Sequence, residues 1–304
     1  MSILKLTMTV ILAALTATAL RGERHCPGNV PSVSLRLVQN TLIVAPVMIN
    51  GSGPYDFLVD TGAQITTVDR ELAARLSLRS DGLTGVSGVA SFVRTPFTHL
   101  NHMEIGTRSV EDVPAVIEDL AQLRHADANI RGILGEDYLA HFDLLIDNEH
   151  RMLCLDDSTT LALAVKGTHI ALEQPYGPDH DLPYTRPLVV LARTGQDRRP
   201  LLFRLDSGSN APVIYQTNEP AQYAVPASAQ ILKRVVNGAE QRFAVLQPQD
   251  VSVGNQTVHQ VSFIQPMNAI GAVRAAREDG VLPTQLFQRV FVSYKNQFAI
   301  LVPR

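Results

Sequence analysis

Residues 57–69 read FLVDTGAQITTVD. Three apolar residues run straight into Asp60, and Thr61 and Gly62 follow at once. An unpaired carboxylate is costly to drive into the end of an apolar strand. Asp60 therefore either caps a turn, as Asp and Gly commonly do, or does chemistry. A single Asp-Thr-Gly leaves both readings open.

The same arrangement occurs a second time. PVMINGSGPYDFLVDTGA begins at Pro46, and PLVVLARTGQDRRPLLFRLDSGS begins at Pro187. Each reads as a strand, a glycine-containing turn, a second strand, and then Asp-Thr-Gly or Asp-Ser-Gly. Further along, MEIGTRSVEDVPAVI from Met103 is echoed by VSVGNQTVHQVSFI from Val251. Both show alternation, a glycine turn and alternation again, the pattern of a hairpin. GILGEDYLAHFDLLIDNEHRML from Gly132 is matched by GVLPTQLFQRVFVSYKNQFAIL from Gly280. Asp60 to Asp206 is an offset of 146 (206 − 60), and Gly132 to Gly280 one of 148 (280 − 132). A period of half the chain marks two homologous halves. They are expected at residues 30–155 and 165–304, joined by a polar linker at 156–164. Each half reads as mostly short strands, with one short helix after the aspartate loop (DRELAARL, from Asp69) and another after ILG (EDYLAHF, from Glu136). The expected fold class is all-β.

Composition fits a globular protein and not a disordered one. The chain has 304 residues, 45% hydrophobic and 18% charged, with a formal net charge of −3. That length holds two domains of ordinary size, each with its own core. The charge gives no footprint for nucleic acid or an anionic membrane. Lys5 is the only charge before an apolar stretch from Met8 to Leu20, and Ala17-Thr18-Ala19 offers a small-x-small cleavage site. Residues 1–19 read as a signal peptide, or as an uncleaved anchor that would be the only link to a membrane. Export predicts a periplasmic or secreted protein. Cys26 and Cys154 are the two cysteines. In an oxidising compartment they could form a disulfide, or they could be unrelated thiols. The nine histidines show no HExxH pattern and no zinc spacing with cysteine. Asp-His-Asp within GPDHDLP at 177–183 reads as a solvated turn. No metal or cofactor is expected.

Two strand-end loops related by a pseudo-twofold would bring Asp60 and Asp206 face to face. Carboxylates about 3 Å apart cannot both ionise, so the pair shares one proton. The charged member can act as general base on a water between them, and the protonated member can bond a substrate carbonyl. That constellation hydrolyses amides without metal, cysteine or serine. Gly62 and Gly208 let backbone approach the carboxylates closely. The hydroxyls of Thr61 and Ser207 can bond backbone across the interface.

On these motifs the chain resembles aspartic proteases of the retropepsin/pepsin clan. The first half is similar to bacterial retropepsin-like domains over nearly all of 42–155, through DTGA, LTGVSG, an IG turn and GILGEDYL. The second half matches more loosely, over about 185–302. The resemblance implies two acid-protease-like β-barrel halves with a cleft between them. It implies an endopeptidase acting on peptides or proteins from an intramolecular site in a monomer, with Asp60 and Asp206 catalytic. A flap hairpin is implied around Leu83 to Phe92, with Gly85, Gly88 and Phe92, and its counterpart carries the turn Asn237-Gly238. An apolar-apolar-Gly motif packs behind each aspartate loop in this clan. Here it is Ile133-Leu134-Gly135 in the first half, and Val281-Leu282-Pro283 in the second. By the same resemblance, Ala63 after the first Asp-Thr-Gly implies a less acidic optimum.

Two departures keep a second function open. Pro283 has no N–H and a fixed φ, so support behind Asp206 is expected to differ. Arg204 lies two residues before Asp206, on the same side in an ideal strand. If it faces the dyad it depresses a carboxylate pKa. The alternative is thus a weak or inactive peptide-binding or regulatory protein on the same fold. Residues 20–40 read either as a short pro-region across the cleft or as a strand of the first half.

Overall fold

The computed structural model describes residues 25–87, 92–173, 188–195, 199–215, 225, 228–236, 239–267 and 278–304. The expected signal peptide, Gly88, Asn237, Gly238 and the 177–183 turn lie outside them. The protein is mostly strand, with four short α-helices among the described residues. Among those residues no helix is long and apolar enough to cross a membrane.

An eight-stranded sheet carries the first aspartate loop. Its centre is the hairpin of strands Leu42–Ile49 and Ser52–Val59. Ile43, Ala45, Val47 and Ile49 alternate along the first of these and are all fully buried, as period-two geometry requires of a strand facing a core. Leu42–Ile49 also pairs with Phe92–Ile105 through Met48 and Glu104. That pairing closes the sheet upon itself. The strand Ser52–Val59 runs parallel to Ile130–Leu134, with Val59 beside Leu134. The helices expected after the aspartate loop and after ILG form at Arg70–Arg75 and Glu136–Leu139. Asp69 caps the first by accepting from the Glu71 N–H.

A nine-stranded sheet carries the second loop. It repeats the same local plan. Val189–Thr194 pairs antiparallel with Leu201–Asp206, which runs parallel to Gly280–Pro283 with Leu205 beside Leu282. Among the described residues this sheet has no closing pair of the kind seen in the first. The two echoed hairpins also form. They turn at Gly106 and Gly254, with φ of 60° and 58°, where a side chain would be strained.

A third sheet of six strands draws three from each half of the chain. Ser32–Ser34, Met152–Asp156 and Asp143–Asp147 meet Phe287–Ser293, Phe298–Pro303 and Ile170–Ala171. The central seam pairs Asp143 with Ser293, Leu145 with Phe291 and Asp147 with Arg289. The stretch 20–40 thus supplies strands: Ser32–Ser34 to this sheet and Arg36–Val38 to the eight-stranded one. Cys26 and Cys154 are joined by a disulfide whose Cα atoms lie 6.0 Å apart. Around it pack Val30, Leu145, Leu161, Phe291 and Ile300. The expected linker is therefore ordered. It contains the helix Thr160–Ala164, whose Leu161 is fully buried in that cluster.

Candidate active site

Asp60 and Asp206 end their strands at the place where the two halves touch. The two loops are locked by four reciprocal hydrogen bonds. The Thr61 hydroxyl donates to the Leu205 carbonyl (2.8 Å) and accepts from the Ser207 N–H (3.0 Å). The Ser207 hydroxyl donates to the Val59 carbonyl (2.7 Å) and accepts from the Thr61 N–H (3.0 Å). Thr61 and Ser207 are both fully buried, where unmade bonds would be costly. The short side chains at these positions are thus explained by the partner loop, not by their own.

Each loop folds back on its own carboxylate. Asp60 Oδ1 accepts from the N–H groups of Gly62 (2.8 Å) and Ala63 (3.1 Å). Asp206 Oδ1 accepts from those of Gly208 (2.7 Å) and Ser209 (2.9 Å). A Cβ at Gly62 would come within 3.0 Å of the Asp206 carboxyl, and one at Gly208 equally close to that of Asp60. Glycine is therefore dictated at both positions by the opposite aspartate. The two carboxyls lie close enough for each to shift the ionisation of the other. Both residues keep partial solvent exposure although protein atoms crowd them.

Burial raises the pKa of Asp60 above the ordinary value, opposed by its loop N–H groups, by Asp206 and by Arg204. Burial raises Asp206 further, and the Asp60 charge adds to it. A pair in which one member ionises first and holds the other protonated is the behaviour of carboxylates sharing a proton.

The apolar motifs sit directly behind the loops. Leu134 accepts from the Asp60 N–H at 3.0 Å. Asp206 stands beside Pro283 in the parallel pairing. In the first half the Gly135 N–H donates to the Thr66 hydroxyl, which donates to Asp137; Asp137 also accepts from the Thr66 N–H. Position 212 corresponds to 66 (212 − 146) and holds proline; position 285 corresponds to 137 (285 − 148) and holds glutamine. Pro283 therefore lacks a donor where Pro212 lacks an acceptor hydroxyl, although the neighbouring Thr284 Oγ1 and Gln285 Oε1 are buried without a hydrogen-bond partner among the described residues. Gln285 instead donates to the carbonyls of Thr41 (2.5 Å) and Ser207 (3.2 Å). Support behind Asp206 differs in kind, as expected, and Leu282 and Val281 remain buried there.

Arg204 is 8% exposed. It does not point freely at the dyad. Its Nε and Nη2 bind both oxygens of Glu278, at 2.9 and 2.5 Å, and its Nη1 donates to the Gly62 carbonyl at 3.0 Å. Glu278 had not been singled out in the sequence. The repeat could have found it. Position 204 corresponds to Leu58 (204 − 146) and 278 to Ile130 (278 − 148), both buried and apolar in the first half. A cation and an anion replacing two touching apolar residues is a readable signal. Glu136 was also missed as a buried carboxyl. It is fully buried, accepts from the Leu188 N–H at 3.2 Å, and burial pushes its pKa well up.

A hairpin stands where the flap is implied. Gly82–Ser87 pairs with Phe92–Ile105, placing Gly85 opposite Arg94 and Ser87 opposite Phe92. Its counterpart pairs Ile231–Val236 with Ala239–Val245. Arg234 on that hairpin donates to Asn210, four residues past Asp206.

Comparison with known proteins finds a family match within the first half. Residues 45–138 match the family model described as aspartyl protease. No curated protein matches the chain. Among solved structures, the chain is similar to a retropepsin-like aspartic protease from Rickettsia conorii. The identity is 20%, over 41% of this chain and 87% of that one, with a TM-score of 0.31. The family match covers the segment 45–138, which holds the Asp60 loop and the Ile133-Leu134-Gly135 motif behind it.

Proposed function

We propose that the protein is an aspartic endopeptidase whose single active site is built from Asp60 and Asp206. One observation carries the reading: two crossed loops set each aspartate carboxyl against the glycine of the opposite loop, in surroundings that raise both pKa values. Asp60 takes a proton from a water held between the carboxyls, and the water oxygen attacks the scissile carbonyl carbon. Asp206 donates a hydrogen bond to the carbonyl oxygen as negative charge develops there. The proton on Asp60 then passes to the leaving amine as the C–N bond breaks. The hairpins Gly82–Ser87/Phe92–Ile105 and Ile231–Val236/Ala239–Val245 flank the substrate. A bound chain in extended form suits a site framed by strands. The disulfide supports an exported location, since such bonds persist in oxidising compartments.

The pH profile should be a bell. Its acidic limb reports ionisation of one carboxyl and its basic limb loss of the shared proton. The upward direction of both shifts supports limbs above ordinary aspartate values. Cleavage of a mixed peptide library from pH 3 to 8, by protein lacking residues 1–19, tests the reading. Asp60→Asn and Asp206→Asn should each lower turnover at least about a thousandfold while the far-UV spectrum is unchanged. Full activity in either variant overturns the assignment. Saturable peptide binding without turnover in the wild type would favour a binding protein on this fold.

A further inference from the structure

The peptide unit joining Gly62 to Ala63 is held at both ends. Its carbonyl oxygen accepts from Arg204 Nη1 (3.0 Å), and its N–H, on Ala63, donates to Asp60 Oδ1 (3.1 Å). In a trans peptide these two groups point in opposite directions. A cation on the carbonyl draws electron density along the amide and makes the N–H a better donor. Arg204 is fixed for this by Glu278, which accepts from its Nε and Nη2 in a bidentate pair, the geometry that most restricts a guanidinium. The matching peptide in the second loop, Gly208 to Ser209, also donates to its aspartate. The residue that corresponds to Arg204 there is Leu58, which has no donor.

We propose that Arg204, anchored by Glu278, is a positioning residue that acts through the Gly62–Ala63 peptide on the Asp60 carboxylate, making Asp60 the base and Asp206 the proton holder. The inference rests on the proteolytic reading for what the two aspartates do, but not for which of them carries the charge. The asymmetry between the loops lies in the chain itself, because every other bond to the two carboxylates has its counterpart across the pseudo-twofold.

Other ionisable groups face the same spot from three elements. Glu136 begins the helix Glu136–Leu139, Tyr294 follows the strand Phe287–Ser293, and Glu278 precedes Gly280–Pro283. Burial pushes Glu136 and Tyr294 well up, which favours their uncharged forms beside Asp60. Asp206 is the remaining one. Arg204 is the cation among these groups; its charge lowers both aspartates, and the bond through the Gly62–Ala63 peptide is what reaches Asp60 alone.

The test replaces the pair by its first-half equivalents, Arg204→Leu with Glu278→Ile, so that no charge is left buried alone. The two macroscopic titration steps of the dyad are read by carbon NMR of aspartate carboxyl carbons, with Asp60→Asn and Asp206→Asn to identify the signals. The lower step should rise by about one pH unit in the double variant, and the acidic limb of kcat/KM should move with it while KM stays within about twofold. Arg204→Lys, which keeps the charge but cannot bridge Glu278 and Gly62 together, should show the same direction of shift to a smaller extent. It serves if the double variant does not fold. A folded variant of either kind whose lower step stays in place overturns the inference. The carboxyl titration does not need turnover. A shifted step in a protein that cleaves nothing would keep this inference and remove the protease reading; unchanged steps in an active protease would do the reverse.

Discussion

Behind Asp60, Leu58 and Ile130 pack into an apolar cluster with Val38, Leu42 and Val44. At the corresponding positions behind Asp206 stand Arg204 and Glu278, paired and buried. The polar network runs the other way around. Thr66, Gly135 and Asp137 bond one another in the first half, where the second half has Pro212, Pro283 and Gln285. The two halves therefore keep the same backbone plan with their polar groups exchanged between adjacent layers. A repeated fold needs the loop atoms that touch the other half to be alike, which Thr61, Ser207 and the two glycines are. It leaves the layer behind free to diverge, provided each buried donor finds an acceptor.

That comparison can be stressed by mutation. The disulfide has no counterpart in the second half, where the edge of the six-stranded sheet is the short strand Ile170–Ala171. Cys26 and Cys154 are 128 residues apart, so replacing both with serine should cost about 5 kcal/mol by the loop-entropy argument. Urea unfolding with unchanged m-value would measure it, and a cost below about 1 kcal/mol would mean the terminal segment is held by packing alone. Next in size is Arg204→Leu by itself. It leaves Glu278 buried without its partner and should destabilise by about 3 kcal/mol or more. Adding Glu278→Ile, to copy Leu58 and Ile130, should recover most of the loss, since a buried ion pair and an apolar pair of similar volume are often near-equal in stability. If the double variant is no better than the single, the two halves differ in packing as well as in charge.

Two smaller effects sharpen the first-half network. Burial raises the Asp137 carboxyl to about 7 from its ordinary 3.8. A raised folded-state value means the folded protein binds this proton more tightly than the unfolded chain does. Its stabilising contribution is full below about pH 4 and is lost as pH rises toward 7. Over that window the melting temperature of the wild type should fall by a few degrees more than that of Asp137→Asn. Parallel slopes would show that this carboxyl titrates alike in both states. Least of all, Thr66→Val removes the hydroxyl between Gly135 and Asp137 and should cost roughly 1–2 kcal/mol. The second half already lives without that hydroxyl, because Pro283 brings no N–H to satisfy.

Much of the site was legible because the repeat aligned both aspartate loops and predicted the crossed hydroxyl bonds. The short helices at Arg70–Arg75 and Glu136–Leu139 followed from their position after each motif. The six-stranded sheet was not foreseen. DLLID and FQRVFVS each read as strands, but nothing local specifies a seam between Asp143 and Ser293, 150 residues apart. Pairing of that range is chosen by the docking of whole halves. Arg204 was seen, and its expected influence on the dyad was framed as a direct approach. Its route through Gly62 depends on a contact across the halves that spacing within one strand cannot reveal. Glu278 was hidden by its neighbourhood, since an acidic Glu-Asp before a glycine reads as a surface turn.

The seam between Asp143–Asp147 and Phe287–Ser293 has a consequence for dilution. Where two separate chains each supply one aspartate, the population of assembled sites falls as the protein is diluted. Here the second aspartate is supplied at an effective concentration set by the covalent chain and by a backbone ladder that must be broken before the loops can part. Specific activity should therefore hold constant as enzyme concentration is lowered through the nanomolar range.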